Sequence, residues 1–289
     1  ANTDDGGCNY ATSSTTDITA CDSYTWNDST YTQSGIYNYS GSSGVNNYSI
    51  SFDGIDDYID FNSQILSSNP INFSQAAWIK TANSSGNDII LTKRHSNNQD
   101  WGTLLVSGGD AMMIQDCMNC ATNTNSTSNT FVADNNWHFI VGVKQGNNYS
   151  IYVDGVLEST VSGLCSFSGS NLNMMLGTHL AWVNQGGDDW FDGLIDNVSI
   201  WDIALTQQEI QNYLNCPLFG SEIGLVGYWN FEEGSGNTVF DQTSNGNDGT
   251  INGATWSNNT PLQSCPLTNT NGCDSVAILN LTINQGDTS

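Results

Sequence analysis

The residues of this chain that could do chemistry are oxygen donors and aromatic rings rather than nucleophiles. Asp241, Asn245, Asn247 and Asp248 crowd into one short stretch, DQTSNGNDG, whose glycines allow tight curvature. Calcium takes carboxylate and amide oxygens from loops of this kind. The same residues also build Asx-turn networks with no ion. Asp188 and Asp189, beside Trp190, offer a smaller oxygen cluster. Trp101 (NNQDWG) and Trp182 (THLAWVNQGGDDW) stand in polar contexts, where an exposed indole can stack on a sugar ring while polar groups satisfy its hydroxyls. Arg94, His179, Asp188 and Asp189 could join them in a ligand site. The competing reading has both tryptophans capping the core or packing between domains.

Hydrolytic chemistry finds little support. A retaining glycosidase needs two carboxylates about 5 Å apart across the scissile bond, and no E-x-D-x-E run occurs. Glu232 and Glu233 are adjacent, so on a strand they face opposite ways. Asp57, Asp60, Asp154 and Glu158 read as strand-face and turn residues. His95, His138 and His179 are scattered and assemble no Ser/His/Asp order or G-x-S-x-G elbow. Cys117-x-x-Cys120 lacks the second ligand pair of a zinc site. It reads as a disulfide, either 117–120 or one of the pair with Cys165. The chain is expected not to be an enzyme.

The elements that would position these groups are β-strands. Ile50 and Phe52 alternate with Ser51 and Asp53, and Ile151 and Val153 with Tyr152 and Asp154; such alternation buries one strand face and wets the other. Asp154-Gly155 is a two-residue hairpin signal. Thr206 and Glu209 form a capping box for a helix over TQQEIQNYL.

Of 289 residues, 29 are acidic and only 4 basic, for a formal net charge of −25. No basic stripe exists to meet phosphates, which excludes nucleic acid and anionic membranes as partners. The surplus charge serves solubility or calcium binding. No segment approaches the ~20 apolar residues of a membrane span, so no membrane insertion is expected. Eight cysteines in so lysine-poor a chain suggest a secreted or cell-surface protein. The start at Ala1, with no signal peptide, is expected of a segment cut from a larger precursor.

SISFDGIDDYIDF, WHFIVGV, YVDG and GLIDNVSIW, with the helix that follows, resemble in order the elements of the laminin-G-like (concanavalin A-type) jelly-roll family. The resemblance covers roughly residues 48–214. It implies a lectin-like sandwich and a structural calcium where opening and closing strands meet, with Asp53 and Asp196 as ligands. In that family a block like GLVGYWNFEEGSG precedes the SFDG strand; here it follows the helix, over 224–256. It either folds back into the same sandwich or donates its strand to a neighbouring repeat. The first is favoured because Cys216 and Cys265 bracket the block and could staple it.

The segments 16–45 and 266–284 resemble two halves of a small repeat found in tandem in large secreted surface proteins of Bacteroidetes, and both contain a CDS tripeptide. The resemblance implies a Cys21–Cys273 bridge closing a split domain. Residues 1–15 resemble the end of a preceding repeat. The expected fold is therefore all-β: a laminin-G-like jelly roll over 48–261 inserted into a small Ig-like β-sandwich repeat. The expected function is adhesion without catalysis, with calcium-dependent contact to glycan or surface protein. Other partners are neighbouring repeats of the same polypeptide or fibre. The alternative is a purely structural unit of an extracellular fibre or stalk.

Overall fold

The computed structural model describes residues 12–21, 24–26, 29–39, 46–66, 70–93, 102–115, 124–163, 173–179, 183, 189–263, 267–268 and 274–284. The chain divides into two compact units, one formed by Ala1–Val45 with Gln263–Ser289, the other by Asn46–Leu262. The first segment carries β1 (Thr12–Cys21), β2 (Tyr24–Trp26), β3 (Ser29–Tyr31) and β4 (Gly35–Tyr39).

The larger unit follows with β5 (Ser49–Asp53), β6 (Tyr58–Asp60), β7 (Asn72–Lys80), β8 (Asn87–Thr92), β9 (Thr103–Ser107) and β10 (Asp110–Gln115). Next come β11 (Thr124–Phe131), β12 (His138–Gln145), β13 (Asn148–Val153), β14 (Val156–Ser162), β15 (Met175–Leu176) and β16 (Asp192–Trp201). After α1 (Gln207–Asn215) it ends with β17 (Leu225–Trp229), β18 (Thr238–Val239), β19 (Gly249–Asn252) and β20 (Thr255–Ser257). These strands form two sheets. One runs β11-β10-β9-β8-β15-β6-β19-β18; the other runs β14-β13-β12-β7-β16-β5-β20, with β17 also paired to β16.

The strand patterns explain the layering. Ile50 and Phe52 of β5 point into the core between the sheets, while Ser51 and Asp53 point outward. β7 is buried on both faces, so it reads as a nearly continuous apolar run. Its Phe73, Ala77 and Ile79 enter the inter-sheet core. Its Ala76 and Trp78 enter a second cluster, with Phe139, Trp201 and Ile210, under the helix. α1 begins at the capping box of Thr206 and Glu209, and Tyr213 stacks on Trp201 at 4.9 Å. The Ser74 hydroxyl anchors the approach to the helix, accepting from Leu205 N–H and donating to the Ile203 carbonyl. Asp154 and Gly155 have φ of 50° and 77°, the left-handed pair that a tight turn between Val153 and Val156 requires.

The 224–256 block contributes to both sheets of this sandwich. β17 pairs with β16, β19 with β6, and β20 with β5. Trp229, fully buried, lies 4.0 Å from the Phe61 ring.

The remaining strands, β21 (Leu267–Thr268) and β22 (Asp274–Asn284), belong to the smaller unit. β22 pairs with β1 in parallel and with β4 and β21 antiparallel, and β2 and β3 form a separate pair. The expected Cys21–Cys273 bridge is corrected here. Cys21 is a free, exposed thiol. The register sets Thr12 beside Ser275 and Cys21 beside Asn284, so Cys21 stands about 30 Å along the ladder from the start of β22, against a Cα separation under about 7 Å in a disulfide. Cys216 is disulfide-bonded. Cys117, Cys120, Cys265 and Cys273 lie outside the described residues.

Candidate functional site

Of the residues expected to contact a ligand, Trp101, Trp182, Arg94 and Asp188 lie outside the described residues. His179 and Asp189 come together: His179 Nε2 is 3.9 Å from Asp189 Oδ2, and Asn87 donates to Asp189 Oδ1 at 3.4 Å. His179 is only 2% exposed, so it supports this corner from within rather than presenting itself to a ligand. Asp88 shares the corner and was missed because NDIILT reads as an ordinary strand opening. Its Oδ1 accepts from Asn83 at 2.9 Å, while its buried Oδ2 has no hydrogen-bond partner. Burial pushes the Asp88 carboxyl up to about 7, with the negative charges of Asp192 and Asp189 adding to the shift.

The pairing of Asp53 with Asp196 at one calcium ion is also corrected. Asp192, not Asp196, is the cross-strand partner of Asp53. Four residues of strand put Asp196 about 13 Å further on, whereas oxygens sharing a calcium each lie about 2.3–2.6 Å from it. Asp53 instead joins Asp56 and Asp57, their carboxylate oxygens all within 4.8 Å of one another.

Asp196 is fully buried, and burial pushes its carboxyl well above the carboxylate range. Its Oδ2 accepts from Asn46 Nδ2 at 2.9 Å and its Oδ1 from Asn197 N–H at 2.7 Å. Asn46 Nδ2 also approaches the Pro261 carbonyl at 3.4 Å, and Asn46 Oδ1 is buried without a partner. Turning the Asn46 amide over would aim Oδ1 at the same point as Asp196 Oδ2 and Pro261 O. Three oxygens would then converge, the donor set a hard cation takes.

The 241–248 loop does not fit a cation. Asp241 Oδ1 accepts from the N–H groups of Tyr228 and Thr243, and Oδ2 from both nitrogens of Asn247. Asp248 accepts from Asp241 N–H, and the side-chain amides of Asn245 and Asn247 donate to Val226 O. These oxygens face N–H donors, so Asp241, Asn245, Asn247 and Asp248 form a turn network fastening the loop to β17.

His138 is an electrostatic clamp. Its Nδ1 is 2.8 Å from Asp154 Oδ2 and its Nε2 3.2 Å from Asp134 Oδ1. The bond to Asp154, with help from Asp134, raises its pKa. Glu158 ties the sheets together by accepting from Asn129 and Thr130.

An open cleft of about 590 Å³ lies on the outward face of the second sheet, lined by residues including Ser51, Lys80, Asn135, Asp192, Leu194 and Asn259. Lys80 has the same strand parity as Ala76 and Trp78, which places the cleft on the face that carries α1. Sequence reasoning missed it because its lining comes from separate chain segments, each an ordinary polar position. The one usable signal was Gly193 at the head of β16. Its φ is 145°, and an added Cβ would meet the Lys80 carbonyl at 2.3 Å, a close backbone approach that admits only glycine.

Comparison with known proteins agrees with this architecture. A candidate carbohydrate-binding protein from Bacteroides ovatus superposes with a TM-score of 0.58 at 17% identity, over 76% of this chain and 62% of that one. The present chain thus spans less than two thirds of that protein. A heptameric SAP-like pentraxin from Limulus polyphemus superposes at 0.56 with 14% identity, over 78% of this chain and 100% of its own. At such identities the likeness shows the fold alone. No curated protein sequence matches the chain. Residues 53–211, more than half of the chain, match the laminin G type family described as the concanavalin A-like lectin/glucanases superfamily, and the chain belongs to that family.

Proposed function

We propose that the protein is a non-catalytic, extracellular carbohydrate-binding module of a large surface adhesin. The observation that carries this reading is the cleft: it is concave and lined mainly by uncharged polar groups, with Lys80 and Asp192 as its charged members. Sugar recognition needs such a surface. The disulfide at Cys216 supports an oxidising compartment, and among the described residues no helix is long and apolar enough to cross a membrane. Co-sedimentation with insoluble polysaccharides, paired with a reducing-end assay, tests the reading. Retention with no sugar released is expected; release of reducing ends overturns the non-catalytic reading.

Calcium is proposed at Asp196, Asn46 and the Pro261 carbonyl, with Asp53, Asp56 and Asp57 as a more exposed second seat. The ion would neutralise a buried carboxylate and fasten the segment before β5 to the chain after β20. Millimolar calcium should raise the melting temperature of the wild type by several degrees, and Asp196→Asn should abolish most of that rise. An identical shift in both proteins removes Asp196 from the site.

The structural reading has one observation in its favour: the smaller unit is built from both ends of the chain, with the larger one between them in sequence. Calcium-dependent fibre growth in analytical ultracentrifugation would favour it.

A further inference from the structure

We infer that the cleft on the helix-bearing face takes an uncharged, hydroxyl-rich sugar ring, held by Lys80 and Asp192 with Ser51, Asn135 and Asn259 completing the contacts. This rests on the carbohydrate-binding reading above and names the site and the ligand class.

The first argument is a hydrogen-bond inventory. Lys80 and Asp192 line the cleft, yet among the described residues neither side chain has a hydrogen-bond or ion-pair partner. The same holds for the Ser51 hydroxyl and the Asn135 amide. Asn259 spends its Oδ1 on Trp137 Nε1 at 3.1 Å and keeps its Nδ2 free. Elsewhere the polar side chains of this unit are heavily committed. Lys144, for comparison, donates to three backbone carbonyls, those of Pro70, Ile71 and Gly146, at 2.8–3.0 Å. A concentration of unused donors and acceptors around a concavity of 590 Å³ is what a small polar ligand requires.

Strand register fixes the spacing of the two charged groups. Leu194 is opposite both Lys80 and Ser51, and Asp192 lies two residues along on the same face. Lys80 and Asp192 are therefore diagonal neighbours, about 7–8 Å apart at the backbone, and form no ion pair. Gly193 between them lets β16 approach β7, which holds this offset. Leu194 is partly exposed between the polar groups and supplies an apolar floor.

Charge selects the class. Asp192 stands in the cleft and Asp53 is its cross-strand partner, on a chain of net charge −25. An acidic sugar would meet that field with a single ammonium to offset it. A cationic ligand would meet the unpaired Lys80 at close range. An uncharged ring lets Asp192 accept from hydroxyls and Lys80 and the amides donate to them, charge-assisted bonds with no charge on the ligand to desolvate.

Affinity electrophoresis of the full chain in gels containing galactomannan, xylan or mixed-linkage glucan, beside polygalacturonate, tests this. The wild type should be retarded by at least one neutral polymer and run freely through polygalacturonate. Lys80→Met and Asp192→Asn should each weaken that retardation about tenfold, the loss of one charge-assisted bond, with melting temperatures unchanged. Retardation by a neutral polymer that both variants retain in full overturns the site while leaving carbohydrate binding intact. Retardation by polygalacturonate alone overturns the neutral class. Free migration through every gel overturns both this assignment and the reading on which it rests.

Discussion

Trp229→Ala should lower the stability of the larger unit by about 3–5 kcal/mol, the cost of deleting a large buried aromatic. Trp229 is fully buried, packs on Phe61, and donates its indole N–H to the Asn247 carbonyl at 3.0 Å. It thereby joins β17 to the other sheet and to the turn network of the 241–248 loop. Gly227 accommodates the ring, since a Cβ there would sit 2.4 Å from it. Urea denaturation followed by tryptophan-independent circular dichroism measures the loss. A cost below about 1 kcal/mol, the range of a surface change, would mean that the 224–256 block does not complete this sandwich.

Asp88→Asn should act in the opposite direction, stabilising the protein by up to about 4 kcal/mol above pH 7. The Asp88 carboxyl is 3% exposed, with its pKa moved from 3.8 to about 7. Between those values the folded state holds a proton that the unfolded state has released. Stability therefore falls as pH rises from about 4 to about 7 and stays lower above. An asparagine keeps the acceptor for Asn83 and offers N–H groups toward Asp189 and Asp192, with no charge to bury. The difference between wild type and variant should open across that window and then remain constant. A pH-independent difference would show that folding leaves the Asp88 pKa unshifted.

The wild type has further groups with the same slope. Without bound calcium, burial raises Asp57 and Asp196, so each also loses stability as pH rises. His138 is a base whose pKa is raised by Asp154 and Asp134. Its contribution is present in full below the unfolded value of 6.5 and is lost as pH rises through the folded one.

Much of the scaffold was legible because local rules and tertiary packing agree. Ile50 and Phe52 alternate as strand residues do, Asp154-Gly155 supplies the turn, and Thr206 with Glu209 caps the helix. The destination of the 224–256 block was narrowed to two arrangements, and its strands pair within the same sandwich.

The sites were less legible because function here depends on what happens between distant segments. Asp53 and Asp196 lie on strands that do meet, but register sets Asp53 beside Asp192, and register is not written in either motif. The 241–248 loop has a metal-binding composition, yet backbone N–H groups within a few residues satisfy Asp241 first. The cleft left no motif because Ser51, Lys80, Asn135, Asp192 and Asn259 converge only in the fold.

The most direct test of the account is a glycan microarray spanning neutral and acidic structures, probed with the full chain in calcium-containing buffer. Binding to at least one class of neutral glycan is predicted, weakened by chelator, with the arrayed sugars left intact after prolonged incubation. No binding to any glycan, or cleavage of those bound, would contradict a non-catalytic carbohydrate-binding module.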